Sequence, residues 1–137
     1  MPWEHFYHTA DVGIRGTGSS LAEAFGEAAV ALTAVITDPA CVEEKITIEL
    51  SLTAEDPELL LYEWLNALIF EMAVRKLLLR SFRLNIEGNR LTARVAGEPV
   101  DLERHRPRVE VKGATLTALQ VRRKKNGTWL AQCVVDV

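Results

Sequence analysis

Residues 46–72 run ITIELSLTAEDPELLLYEWLNALIFEM, and their hydrophobic period changes once, in the middle. Ile46, Ile48, Leu50 and Leu52 alternate with Thr47, Glu49, Ser51 and Thr53, the two-residue period of a strand with one buried face. After the break, Leu60, Leu61, Trp64, Leu65, Leu68, Ile69 and Met72 recur at the spacing of one helical face. Asp56-Pro57-Glu58 marks the change: an N-cap side chain, a proline at the first helical position, and an acid at the positive end of the helix dipole. A strand that hands over directly to a long apolar helix predicts a mixed fold rather than a bundle or an all-β barrel.

The flanks add to this frame. Toward the N-terminus, Trp3 to Tyr7 is aromatic or polar without a helical period, and Val12-Gly13-Ile14 is extended, which predicts two short strands before Gly16 joined at His8-Thr9-Ala10-Asp11. Ser20 followed by Glu23 is a capping box, with Leu21, Ala24, Phe25, Ala28, Ala29 and Leu32 at helical spacing behind it. Proline disfavours helical geometry in the residue before it, so this amphipathic helix should stop near Thr37-Asp38-Pro39 and leave Asp38 in the exit loop. Phe82, Leu84 and Ile86, then Glu87-Gly88-Asn89, then Leu91, Ala93 and Val95 spell a hairpin. A second hairpin is predicted from Thr115 to Arg122, a turn at Asn126-Gly127, and Trp129 to Val135. The sum is an α+β fold, residues 1–137 forming one domain, with two helices packed on a largely antiparallel sheet or sandwich of about seven or eight strands.

The 137 residues are 48% hydrophobic and 26% charged with a net charge of -3, which excludes a disordered chain and a protein whose main task is coating nucleic acid. Cys41 and Cys133 match no zinc spacing and lack a neighbouring base, so both are expected to be small core residues in a reducing compartment. No signal-like start and no apolar run near the roughly 18 residues of a membrane span are visible, which predicts a cytoplasmic protein without a membrane partner.

Few residues point to chemistry. His5-x-x-His8 invites a zinc reading, but residues three apart on a strand face opposite ways and cannot readily share an ion. Asp11 stands between two strands beside Gly13, where a small residue permits close approach; a turn aspartate bonding its own backbone is the plainer alternative. Asp136 follows the apolar run Cys133-Val134-Val135 and precedes Val137. If the first and last strands pair, Asp11, Asp136 and main-chain carbonyl oxygens make an all-oxygen site suited to calcium or magnesium; otherwise both carboxylates are simply solvated. Positive charge gathers at Arg104, His105, Arg106, Arg108 and Lys112, and again at Arg122-Arg123-Lys124-Lys125. The second run flanks a turn and is read as a solvated feature. Lys112, at the end of the strand-like Val109-Glu110-Val111 and before Gly113, can project an ammonium toward a phosphate or a carboxylate, or lie along the surface. Gly16-Thr17-Gly18-Ser19 lacks the lysine and spacing of a phosphate-binding loop, and no nucleophile elbow occurs.

His8-Thr9-Ala10-Asp11-Val12-Gly13-Ile14-Arg15, followed by Gly18 and Leu21-Ala22-Glu23-Ala24-Phe25, resembles the archease family, small proteins that activate the RtcB-type RNA ligase. The resemblance continues through Thr37-Asp38, Asp101 with Arg104-His105, Glu110-Val111-Lys112, and the ending Val134-Val135-Asp136-Val137, and so covers essentially the whole chain. It implies a divalent-cation site built from Asp11, Asp136 and the main chain of Val137, with Asp38 as an additional acidic member, and a functional role for Lys112 in activation. The implied cofactor is calcium or magnesium, with manganese at the ligase interface. The implied function is not that of a stand-alone enzyme: the chain would promote guanylylation and multiple turnover of an RtcB-type RNA ligase in tRNA splicing or RNA repair. The acidic net charge leaves most of the RNA to the ligase and direct contact by this chain open. A general chaperone or adaptor for RNA-processing proteins, and a small metal-dependent hydrolase, are the alternatives. One departure stands out: where the family commonly shows Thr-Tyr-His after Glu-Val-Lys, this chain has Gly113-Ala114-Thr115-Leu116-Thr117. Any role of that histidine is absent here, which bears on the partner-facing surface more than on the ion.

Overall fold

A computed structural model describes residues 2–137. The chain orders itself as β1 (Trp3–His8), β2 (Asp11–Gly18), α1 (Leu21–Ile36), a 3-10 turn (Pro39–Cys41), β3 (Ile46–Thr53), α2 (Pro57–Arg75), β4 (Leu77–Glu87), β5 (Arg90–Pro99), the short α3 (Leu102–His105), β6 (Gly113–Ala114), β7 (Gln120–Arg123) and β8 (Trp129–Asp136). Both long helices start where their caps direct. Ser20 accepts from Glu23 N–H and Asp56 accepts from Leu59 N–H. The capping box is half formed, because the Glu23 carboxylate accepts from the Ser19 hydroxyl at 2.9 Å instead of returning to the cap backbone. Removing the second cap in Asp56→Ala should cost about 1 kcal/mol, read as a lowered urea midpoint at unchanged slope.

The strands form two antiparallel sheets. One has the order β1-β2-β8-β6 with β7 also paired to β8, and the other the order β3-β5-β4. In the second sheet the Gly88-Asn89 turn carries positive φ only at Gly88 (57°), the conformation for which a glycine is suited. α1 lies between the sheets, against β2 and β8 on one side and β4 on the other. That position explains its alanine content and why burial from Ala31 to Ile36 extends beyond one helical face. Gly16 lets the backbones meet: a Cβ there would sit 2.2 Å from Ala28 N and 2.3 Å from Ala24 O. α2 closes the core with Trp64, fully buried, whose indole N–H donates to Phe25 O at 3.1 Å and whose ring meets Phe82 edge-on.

Three local expectations are corrected. The strand predicted from Thr115 to Arg122 begins only at Gln120, because the preceding residues turn with Ala118 at φ 54° and Val134 bonds Thr115 and Thr117 instead. Val109-Glu110-Val111 forms no strand and joins no ladder. Cys41 lies half-buried in the 3-10 turn, its thiol donating to Asp38 O, and is not a core residue, whereas Cys133 is. No helix among the described residues is long and apolar enough to cross a membrane.

Candidate functional site

The apolar terminal strand β8 sits in the middle of its sheet, and its antiparallel register with β2 pairs Val12 with Val135 and Gly13 with Val134. The next step of that register sets Asp11 across from Asp136. Residues directly opposite in a ladder share a face, so the two carboxylates rise from the same side, the one turned away from α1. Two further strands end at this point. β1 pairs His8 with Asp11, and β6 pairs Gly113 with Asp136. Lys112 N–H donates to Asp136 O at 2.7 Å, so the lysine leaves the backbone beside the second carboxylate. Asn66 of α2 fixes that approach by accepting from Ala114 N–H at 2.9 Å. The Lys112 side chain is exposed and takes part in none of the ion pairs formed among the described residues.

Val137 continues from Asp136, and its side chain falls on the other face, lining a hollow with His5, Val12, Val35 and Arg108. Asp38 follows the last turn of α1. Its carboxylate accepts from Ala40 N–H at 3.0 Å and caps the 3-10 turn that follows α1. Among the described residues no three His, Cys, Asp or Glu side chains converge as a ligand cluster. The side chains therefore offer two carboxylates, with main-chain oxygen at Val137 as the adjacent third donor. Such a set suits a hard, oxygen-preferring cation that keeps several waters, as calcium and magnesium do, and does not suit zinc.

The histidines diverge as strand geometry requires. His5 Nε2 lies 2.8 Å from Ala31 O of α1, while His8 stands on the outer face, its buried Nδ1 without a hydrogen-bond partner among the described residues. The close approach permitted by Gly13 is made by a ring: a Cβ there would lie 2.3 Å from Phe6. Arg15 covers that ring at 4.7 Å, pairs with Glu4 at 2.5 Å and donates to Gln132 Oε1 at 2.8 Å.

The basic stretch resolves differently from its sequence. Arg104 and His105 converge on Glu98, which is 1% exposed on β5. The Arg104 guanidinium engages both carboxylate oxygens, Glu43 N–H donates at 2.5 Å, and His105 Nε2 lies 3.1 Å away. Asp101 N–H donates to His105 Nδ1 at 2.8 Å, which leaves the ring proton on Nε2 facing Glu98. The Arg104 hydrogen bonds foremost hold the Glu98 carboxyl well below the usual carboxylate range. Nothing in the alternation of β5 announces this burial, because the covering residues come from the loop before β3 and from α3. Burial also pushes the Cys133 thiol up to about 12, which makes it unreactive.

Comparison with known proteins places the chain in a family. Residues 3–137 match the model of the Archease protein family. Protein archease of Pyrococcus abyssi is 42% identical over 139 residues, and that of Pyrococcus furiosus 39%, each alignment covering 98% of both chains. The solution structure of protein 1598 of Methanobacterium thermoautotrophicum superposes with a TM-score of 0.87 at 33% identity, covering 99% of each chain. A crystal structure of an archease, a possible chaperone, from Thermotoga maritima shares the fold at a TM-score of 0.67 and 20% identity, over 96% of this chain and 94% of that one. With the family model spanning residues 3–137 and relatives of this identity matched end to end, the chain belongs to the archease family.

Proposed function

We propose that this protein is a metal-binding activator of an RtcB-type RNA ligase, acting by promoting ligase guanylylation rather than by turning over a substrate of its own. The supporting observation is the β2–β8 register, which sets Asp11 and Asp136 on one face with Lys112 anchored alongside. In this reading Asp11, Asp136 and the main chain of Val137 hold a calcium or magnesium ion. When bound, the ion offsets phosphate charge during nucleotidyl transfer. Lys112, unpaired and exposed, contacts a phosphate or a ligase carboxylate. Asp38, which caps the 3-10 turn, is in this reading an additional acidic member near the ion.

Multiple-turnover ligation by the matching ligase, with GTP and metal, tests the proposal. Wild type should stimulate turnover, while Asp11→Ala and Asp136→Ala should remove stimulation and keep the fold. A second readout is independent of activity: calcium at 100 times its dissociation constant should stabilise wild type by about 2.7 kcal/mol and neither variant. Variants that still stimulate would refute the role of the acidic pair. The chaperone reading predicts instead that the variants lose thermal stability but keep partner binding, and the hydrolase reading predicts phosphoester turnover by the protein alone.

A further inference from the structure

The outward face of the β3-β5-β4 sheet gathers three arginines, Arg83, Arg90 and Arg94, against two carboxylates, Glu49 and Glu87, the latter across from Arg90. Register places Arg83 of β4 directly across from Arg94 of β5, with Glu49 of β3 on Arg94's other side. Like charges directly opposed on a sheet destabilise it, and here one carboxylate serves two guanidiniums. Arg94 reaches Glu49 at 3.0 Å with both side chains largely exposed, whereas Arg83 and Arg90 join no ion pair among the described residues. The next row pairs Asn85, Thr92 and Ser51, a line of small hydroxyl and amide groups. Together these residues line an open groove of about 590 Å³ whose charged members are three arginines and one glutamate.

We infer that this groove binds the phosphate backbone of a single-stranded RNA. A guanidinium pair across two strands is a seat for a bridging anion. Arg90 and Arg94 are four residues apart on one strand, about 14 Å, too far for one phosphate and suited to two phosphates separated by an intervening nucleotide. Asn85, Thr92 and Ser51 lie between them as donors and acceptors for ribose hydroxyls. The groove is lined by no aromatic side chain, so bases find no stacking platform and the contact reads backbone rather than sequence. This inference does not depend on the acidic pair or on ligase activation, and it adds a nucleic-acid surface that the net charge of -3 conceals.

Fluorescence anisotropy with a labelled 12-nucleotide oligouridylate tests it on the full-length protein. Two neutralised phosphates, one bridging Arg83 and Arg94 and one at Arg90, predict that log affinity falls with log salt at a slope of about -1.4, and Arg83→Gln/Arg94→Gln should reduce that slope to about -0.7 while weakening binding about tenfold or more at low salt. Glu49→Gln keeps the side-chain shape, frees Arg94 and should tighten binding severalfold. Arg122→Gln/Arg123→Gln, on the other sheet, should leave affinity unchanged. Four results would overturn the inference: equal loss in both double variants; no tightening in Glu49→Gln; displacement of the RNA by inorganic phosphate at matched ionic strength, which marks a single-anion site; or equal affinity for the deoxyribose strand, which leaves the hydroxyl row without a role.

Discussion

Gly97→Ala is expected to lower the melting temperature by about 12 °C or more, the largest loss of any single methyl addition in this chain. The ideal Cβ would sit 1.8 Å from Leu78 O and 2.8 Å from both Leu78 C and Leu79 Cα, all backbone atoms of β4. A side chain in the way could rotate; a neighbouring strand cannot. The two strands must part by more than an ångström where the register already shifts between Leu79 and Ser81, and where Gly97 O accepts from Lys45 N–H. Overpacking typically costs 1–3 kcal/mol, and a clash against backbone belongs at or above the upper end. At about 4 °C per kcal/mol for a chain of this size, that gives the stated shift. Gly26→Ala supplies the opposite sign in the same experiment. Its Cβ would meet only Leu84 Cδ1 at 3.5 Å and Phe82 O at 3.6 Å, in ordinary contact and at a helical position. It should therefore stabilise by about 0.4–1 kcal/mol through the unfolded chain. Equal responses at the two glycines would mean that the β4–β5 approach is looser than described.

That contrast shows what a sequence displays and what it hides. Residues 46–72 announce their strand and helix because both are governed by local period and by the Asp56 cap, and the structure places β3 and α2 accordingly. Gly97 and Gly26 look alike in the sequence; only the partner strand distinguishes them. Asp11 and Asp136 are 125 positions apart, and strand pattern alone left their meeting conditional on a pairing that period cannot specify. The apolar character of β8 was the usable signal, since a strand buried on both faces must be central. Asp38 was legible as a helix-exit residue but not as the cap of a 3-10 turn, because that depends on how the chain leaves α1. The Arg83–Arg94 opposition was equally invisible, since each arginine occupies a proper outward position on its own strand and the conflict exists only across the register.

Glu98 is the remaining residue whose role follows from the assembled structure alone, and it governs how this protein should respond to acid. Its carboxyl is held below the usual range first by the Arg104 hydrogen bonds, then by Glu43 N–H and His105, all acting against desolvation. The unfolded chain titrates this group near 4.3, so the folded state binds its proton only at lower pH. Its contribution is therefore fully present above about pH 5 and is lost as pH falls below about 4.3 toward the depressed folded value. Glu98→Gln keeps the volume but removes the charge, leaving the Arg104 guanidinium without its carboxylate beside a buried amide. The melting temperature of the variant should lie below wild type by its widest margin at pH 7, and the gap should narrow as pH falls through about 4.3 to pH 3. A gap of equal size at both pH values would show that packing, not charge, is what Glu98 supplies. The consequence reaches the candidate site through the chain itself. Arg104 and His105 belong to α3, His105 O accepts from Thr37 Oγ1, and Arg108 N–H donates to Ile36 O at 2.8 Å before the strap runs to Lys112. Loosening Glu98 frees the segment that delivers Lys112 to Asp136, so on the proposed activator function Glu98→Gln should also reduce ligase stimulation at pH 7 while Asp11 and Asp136 keep their register. Full stimulation in a variant that melts early would separate the buried pair from the positioning of the lysine.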